Sequence, residues 1–209
     1  IFVPAGGIQT DLGHKSYDDF CADLAAAIQR FLSKPEVACA VLGAIQSSDT
    51  LQRIEQANAG SLGRVILASE KSTNPEFPSA EVRTPVLLAC DASDEKAYME
   101  ERFGPISFVV KVPDTKAAIA LSERVVSTHG ALTVGLYSTS QEVIDQMTQA
   151  TWRGKVALSI NLTGGVFVNQ SAAFSDYHGS GANPAANASY ADSAFVANRF
   201  RVIQRRWHV

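Results

Sequence analysis

The chain has 209 residues, 46% hydrophobic and 19% charged, and 18 Lys and Arg against 21 Asp and Glu leave a net charge of -3. A chain of this length should bury about 70% of the surface its unfolded form exposes, so neither a disulfide scaffold nor wholesale disorder is expected. Without a basic surplus, binding to a phosphate backbone is a poor expectation, and no apolar run approaches the ~18 residues of a membrane span.

The chain opens on Ile1-Phe2-Val3-Pro4, which reads as a strand and not as a start. With no basic segment and apolar run of a secretory signal before it, the expectation is a piece of a longer protein. A glycine-containing loop follows over residues 5–15. The string SYDDFCADLAAAIQRFL then carries Tyr17, Phe20, Cys21, Leu24, Ile28, Phe31 and Leu32 on one helical face. Ser16 can cap that helix, Asp18 and Asp19 suit its positive end, and Pro35 stops it. The short apolar run 37–43 reads as a strand. A second helix starts at Ser47 or Ser48, runs through Leu51, Ile54 and Ala57, and ends at Gly60.

Segments 63–69, 84–90 and 106–112 read as strands. Asp114 or Thr115 caps a helix closed by Gly130, and residues 131–137 form another strand. Ser138–Ser140 opens a helix through Val143, Met147 and Ala150, and 156–160 and 165–169 are strands. This alternation reads as α/β with a largely parallel sheet, and no domain boundary stands out. From Gln170 to Ser193 small residues, Gly and Asn prevail, as in a functional loop. The tail RFRVIQRRWHV reads as a half-exposed strand whose open edge would pair with another subunit.

Cys21 falls on a helix face, while Cys39 and Cys90 fall in apolar strands. No cation stands beside any of them to lower a thiol pKa, so all three read as core. Three widely spaced cysteines fit reduced thiols in a cytoplasmic setting. The glycosylation-like strings at Asn161, Asn169 and Asn187 are then chance matches. His14, His129, His178 and His208 are scattered without metal-ligand spacing, so no metal is expected. His129 beside Gly130 suits a helix C-terminus, and His178, in DYHGSG, is the one placed to meet a ligand. No GxGxxG, no phosphate-cradling GxxxxGK and no GxSxG occurs in a fitting context, so any nucleotide-binding Rossmann unit lies outside these residues.

The string YMEERFGPISFVV (98–110) sets two carboxylates, an aromatic and a Gly-Pro turn before a buried strand. By itself it reads first as a solvated acidic turn leading into a strand. It also resembles the E-E-x-F-G-P motif of the aldehyde dehydrogenase superfamily. The S-YDDF helix followed by LGAIQS resembles the family's stretch after its catalytic cysteine, TPVLL stands where that family places it, and GGVFVN resembles its late G-x-V-x-x-N strand. Four segments in this order cover nearly the whole chain. The C-terminal string from Val168 to Phe200 is similar to the phenylacetate-degradation (PaaN-type) branch. It departs from the usual Pro-Phe-Gly-Gly ending, with Phe174-Ser175-Asp176-Tyr177-His178-Gly179 in that place.

The resemblance implies a three-layer α/β catalytic domain of aldehyde dehydrogenase type. The catalytic portion would span 1–169, a loop region bordering the active site 170–198, and an oligomerisation strand 199–209. In that family a cysteine thiolate attacks the aldehyde, amide donors hold the oxyanion, and hydride passes to NAD or NADP. Glu101 would accept hydrogen bonds from the nicotinamide-ribose hydroxyls, Phe103 would support the ring, and Glu100 would be a structural partner. Arg102 stands where the family commonly has an apolar residue. Phe174 and His178 would line the aldehyde tunnel. The nucleophile would precede Ile1, and Cys21 lies too far downstream to replace it, so this stretch alone should be inactive. The implied substrate is a small-molecule aldehyde or semialdehyde from aromatic catabolism, and a homo-oligomer through the last strand is the implied partner. A CoA-acylating dehydrogenase or related reductase, and a non-catalytic paralogue used for assembly or binding, are the alternatives.

Overall fold

The computed structural model describes residues 1–131, 133–163 and 203–205. The chain forms two compact units, Ile1–Ala118 and Ile119–Val209.

The first unit opens with β1 (Phe2–Pro4), the hairpin strands β2 (Ile8–Thr10) and β3 (Gly13–Lys15), and the helices α1 (Tyr17–Leu32), α2 (Pro35–Val41) and α3 (Ser48–Asn58). It continues through β4 (Arg64–Leu67), β5 (Lys71–Ser72), β6 (Val82–Arg83), β7 (Val86–Asp91), α4 (Glu95–Tyr98) and β8 (Ile106–Val112). A four-stranded sheet in the order β1-β8-β7-β4 is its centre. β1, β8 and β7 are parallel, with Phe2 opposite Val110 and Leu88 opposite Phe108, and β4 lies antiparallel to β7.

Helices cover this sheet on both faces because the β7 side chains alternate. Leu87 and Ala89 meet Tyr17, Cys21 and Ala25 of α1, while Val86 and Leu88 meet Ala57 of α3. A strand buried on both sides has no room for polar alternation, which is why β7 reads as the unbroken run VLLAC. α1 starts where the Ser16 side chain accepts from Asp19 N and its hydroxyl donates to the Asp19 carboxylate, and Ser47 caps α3 in the same manner through Asp49 N. The Tyr17 hydroxyl donates to Val109 O at 2.7 Å, so the one polar atom that α1 carries into the core is satisfied.

Helix α5 (Thr115–His129) starts in the first unit and continues into the second, which adds β9 (Thr133–Leu136), α6 (Gln141–Arg153), β10 (Ala157–Ile160) and β11 (Ile203–Arg205). β11, β10 and β9 form a parallel sheet in that order. Ile144, Met147 and Ala150 of α6 pack on Leu158 and Ile160. Ser140 caps α6, and Arg153 in its last turn forks onto Glu123 at 2.5 and 2.8 Å. Beyond β10, Asn161 takes a positive φ of 55°. Its side chain accepts from Ser138 N and donates to Ser138 O, which lengthens the β9–β10 pairing by one side-chain rung.

The α/β class with a mixed, mostly parallel sheet matches the expectation. Two local expectations do not hold. The run at 37–43 is not a strand: residues 35–41 form α2, with Pro35 at its first turn, where the missing N–H costs nothing, so Cys39 is helical and half-buried. The loop at 5–15 holds the β2–β3 hairpin, whose tip places Leu12 in solvent. The strand expected at the C-terminus is present at Ile203–Arg205, and its described partner is β10 of the same chain. The strand expected at 165–169 lies outside the described residues.

Candidate functional site

The approach to β8 carries three charged residues in a row, Glu100, Glu101 and Arg102. α4 ends at Tyr98, whose hydroxyl donates to Ala92 O at 2.7 Å and whose ring meets Phe2 edge-on with centroids 6.0 Å apart. These two contacts fix where the loop 99–105 departs. Pro105 O accepts from Val86 N at 2.9 Å, which fixes where the loop rejoins the sheet beside β7.

Between those ends the loop borders an open concavity of about 550 Å³, lined by Tyr98, the loop residues Glu100 to Gly104, Ile106 and Phe108. Glu101 is exposed and has no hydrogen-bond or ion-pair partner among the described residues. Phe103 keeps 69% of its surface accessible, a large apolar exposure for a residue beside a core strand. Glu100 is engaged instead, pairing with Arg102 at 3.4 Å. Arg102 turns back to donate to Lys96 O at 2.7 Å, so its charge sits on the carbonyl end of α4.

The two residues expected to bind a cofactor, Glu101 and Phe103, therefore share one wall. Glu100 and Arg102 line the same concavity, but they pair with each other, and Arg102 also holds the Lys96 carbonyl. An unengaged carboxylate beside an accessible ring can accept hydrogen bonds from paired hydroxyls and pack against a planar heterocycle. Phe174 and His178 lie outside the described residues. Tyr98, Ile106 and Phe108 were not singled out by the sequence. Ile106 and Phe108 owe their place to the β7–β8 register, for which the only sequence signal is the apolar run itself, and Tyr98 owes its place to its contacts with Ala92 O and Phe2.

The thiols are placed for packing. Cys21 and Cys90 are buried, and burial pushes both pKa values up, Cys90 to about 11. Near neutral pH both stay protonated, the wrong state for a nucleophile.

The sequence profile of the aldehyde dehydrogenase family matches residues 12–198. A succinate-semialdehyde dehydrogenase (NADP(+)) of Deinococcus radiodurans is 32% identical over 118 residues, which is 54% of this chain and 24% of that protein. The crystal structure of an NAD-dependent aldehyde dehydrogenase from Burkholderia multivorans superposes with a TM-score of 0.81 at 52% identity, over 100% of this chain and 37% of its own. The chain thus spans about a quarter of the curated relative's length and 37% of that structure. With a profile that matches most of its length and the E-E-R-F-G-P loop shaping the concave wall, the chain belongs to the aldehyde dehydrogenase family.

Proposed function

We propose that the chain is the C-terminal part of an NAD- or NADP-dependent aldehyde dehydrogenase-like oxidoreductase of the phenylacetate-degradation branch. Its substrate on this reading is a semialdehyde, or a CoA-linked one, from aromatic catabolism. The observation that carries the proposal is the Glu101 carboxylate, without a partner among the described residues, beside the accessible Phe103 ring. The titles of the two relatives support the cofactor class, one naming NADP(+) and the other NAD.

A sugar diol needs strong acceptors to be held in one orientation, and hydrogen bonds to a charged acceptor contribute about 1.5–3 kcal/mol each. Glu101 supplies that acceptor, and Phe103 supplies an apolar face for the adjoining ring. When bound, the dinucleotide provides the hydride acceptor. This chain's residues hold and orient it, and Tyr98, Ile106 and Phe108 keep the floor of the concavity apolar.

On this reading the nucleophilic cysteine lies upstream of Ile1, and the register of β1 is consistent with that. The Ile1 nitrogen donates to Phe108 O at 2.6 Å, and Phe2 stands opposite Val110. A preceding segment continuing that strand would run beside Phe108 and Ile106, toward the wall that carries Glu101. On the same reading, residues 1–169 are the catalytic portion, 170–198 border the active site with Phe174 and His178 lining the aldehyde tunnel, and 199–209 join a homo-oligomer. The position of β11 at one edge of its sheet supports the last point. The unpaired thiols Cys21, Cys39 and Cys90 support a cytoplasmic setting.

The test is reduction of NAD or NADP by the full-length protein, given a panel of aldehydes that includes aromatic-pathway semialdehydes, with and without CoA. Reduction with at least one of them is the expected outcome, and dependence on CoA would identify the acyl acceptor. The 209-residue chain in the same assay is expected to be silent. Silence from a folded full-length protein that carries the upstream cysteine would favour a non-catalytic role in assembly or binding.

A further inference from the structure

The segment from Glu101 to Gly104 is pinned from both sides by arginines whose targets are backbone carbonyls. Arg102 reaches back to Lys96 O. Arg53, on α3 and 50 residues away in sequence, donates from Nε to Phe103 O at 3.0 Å and from Nη2 to Thr50 Oγ1 at 3.0 Å. The second bond locks the guanidinium against its own helix, because Thr50 is itself buried in the first turn of α3. Gly104 follows with a φ of +145°, and a Cβ there would lie 3.1 Å from Thr50 Cγ2. The loop backbone therefore lies against the start of α3, with Arg53 gripping the carbonyl just before the point of contact. A planar guanidinium can satisfy two acceptors in fixed directions, whereas an ammonium cannot.

We infer that Arg53 is a positioning residue for dinucleotide binding. By holding the Phe103 carbonyl it fixes the loop rotation from which the Glu101 carboxylate and the Phe103 ring reach the concavity, without touching the ligand. The inference rests on the proposed role of Glu101 as a dinucleotide ligand. The competing role is a purely structural brace, and the two separate cleanly: a brace shows in the melting temperature, whereas a positioning residue shows in an affinity coupled to Glu101.

The experiment uses the full-length protein. Dissociation constants for NAD and NADP are measured by calorimetry, together with melting temperatures, for Arg53→Met, Arg53→Lys, Glu101→Gln and the Arg53→Met/Glu101→Gln double variant. Arg53→Met is expected to weaken binding about tenfold, equivalent to ~1.4 kcal/mol, with little change in melting temperature. Arg53→Lys should fall between it and the wild type. In the Glu101→Gln background the Arg53 change should cost much less than in the wild type, because residues acting through one another are not additive. Additive losses would overturn the inference, as would wild-type affinity in Arg53→Met with a lowered melting temperature. If Arg53→Met does not fold, Arg53→Lys decides: weaker binding at an unchanged melting temperature supports the role, and wild-type binding overturns it. Should Glu101→Gln bind as the wild type does, the proposed function loses its main residue and the inference falls with it. Loss in Glu101→Gln with none in Arg53→Met defeats the inference alone.

Discussion

Within fourteen residues, from Met99 to Val112, the chain passes through two environments held together by different physics. In β8, Val109, Val110 and Val112 are at most 1% exposed, and β7 beside them is buried on both faces. Apolar burial of this kind is non-directional: it stabilises strongly and tolerates small shifts in geometry. The loop at 99–105 buries little, and its anchors are hydrogen bonds from Arg102 to Lys96 O, from Arg53 to Phe103 O and from Val86 N to Pro105 O. Such bonds contribute about 0.5–1.5 kcal/mol net, rising to about 3 where one group is charged, and they are strict about direction. The sheet therefore supplies stability while the loop supplies orientation, and substitutions should sort accordingly.

The largest expected effect lies on the sheet side. Leu88 is fully buried between Val86, Ala57 and the side chains around them. Leu88→Ala should remove about 2–5 kcal/mol from the unfolding free energy, read from urea unfolding of the full-length protein. The fraction that remains folded should bind dinucleotide with wild-type affinity. A loss of affinity comparable to that of Glu101→Gln would break the separation between sheet and loop.

A smaller effect tests how dry the same sheet is. Burial, reinforced by the nearby Asp94 carboxylate, pushes the Cys90 thiol from its ordinary 9.0 up to about 11. A group whose folded pKa is raised stabilises the fold in its protonated form. That contribution is complete below pH ~9 and is lost as the pH rises through about 11. The urea midpoint should therefore fall more steeply between pH 9 and 11 in the wild type than in Cys90→Ala, since the other groups titrating in that window are common to both. Parallel pH profiles would show that the thiol is hydrated and that β7 is less sealed than its burial implies.

The two environments also differ in how far the sequence disclosed them. β7, β8, α1 and α6 were legible because each repeats a simple rule: a mostly apolar run, or an apolar face behind a Ser cap. Strand direction was not legible. The antiparallel setting of β4 against β7 depends on a pairing between residues such as Arg64 and Ala89, far apart in sequence. The run 37–43 misled because a short apolar run fits a strand and a short helix equally, and the informative residue was Pro35, suited to a helix start. The loop's residues came from resemblance, since nothing in composition or periodicity marks Glu101 over Glu100. What separates the two carboxylates is that Glu100 has Arg102 as a partner and Glu101 has none among the described residues. The grip of Arg53 on Phe103 joins α3 to the loop across a distance that no local pattern reports.

The smallest expected change in stability carries the sharpest statement about the loop. Phe103 is 69% exposed, so truncating its ring removes little buried surface, and Phe103→Ala should leave the unfolding free energy within about 0.5 kcal/mol of wild type. If the ring packs against a bound heterocycle, the same truncation removes an aromatic contact of about 0.5–1.5 kcal/mol, roughly a two- to tenfold rise in the dinucleotide dissociation constant. Phe103→Leu, which keeps apolar surface but loses the flat face, should lie between the two. The opposite pattern, in which melting temperature falls and affinity does not, would mean that the ring supports the loop from outside, and would leave Glu101 as the sole contact for the ligand. Arg53 holds the Phe103 carbonyl while the ring stays 69% exposed, which leaves its face open to something that could pack on it. The pair of measurements asks whether that something is the dinucleotide.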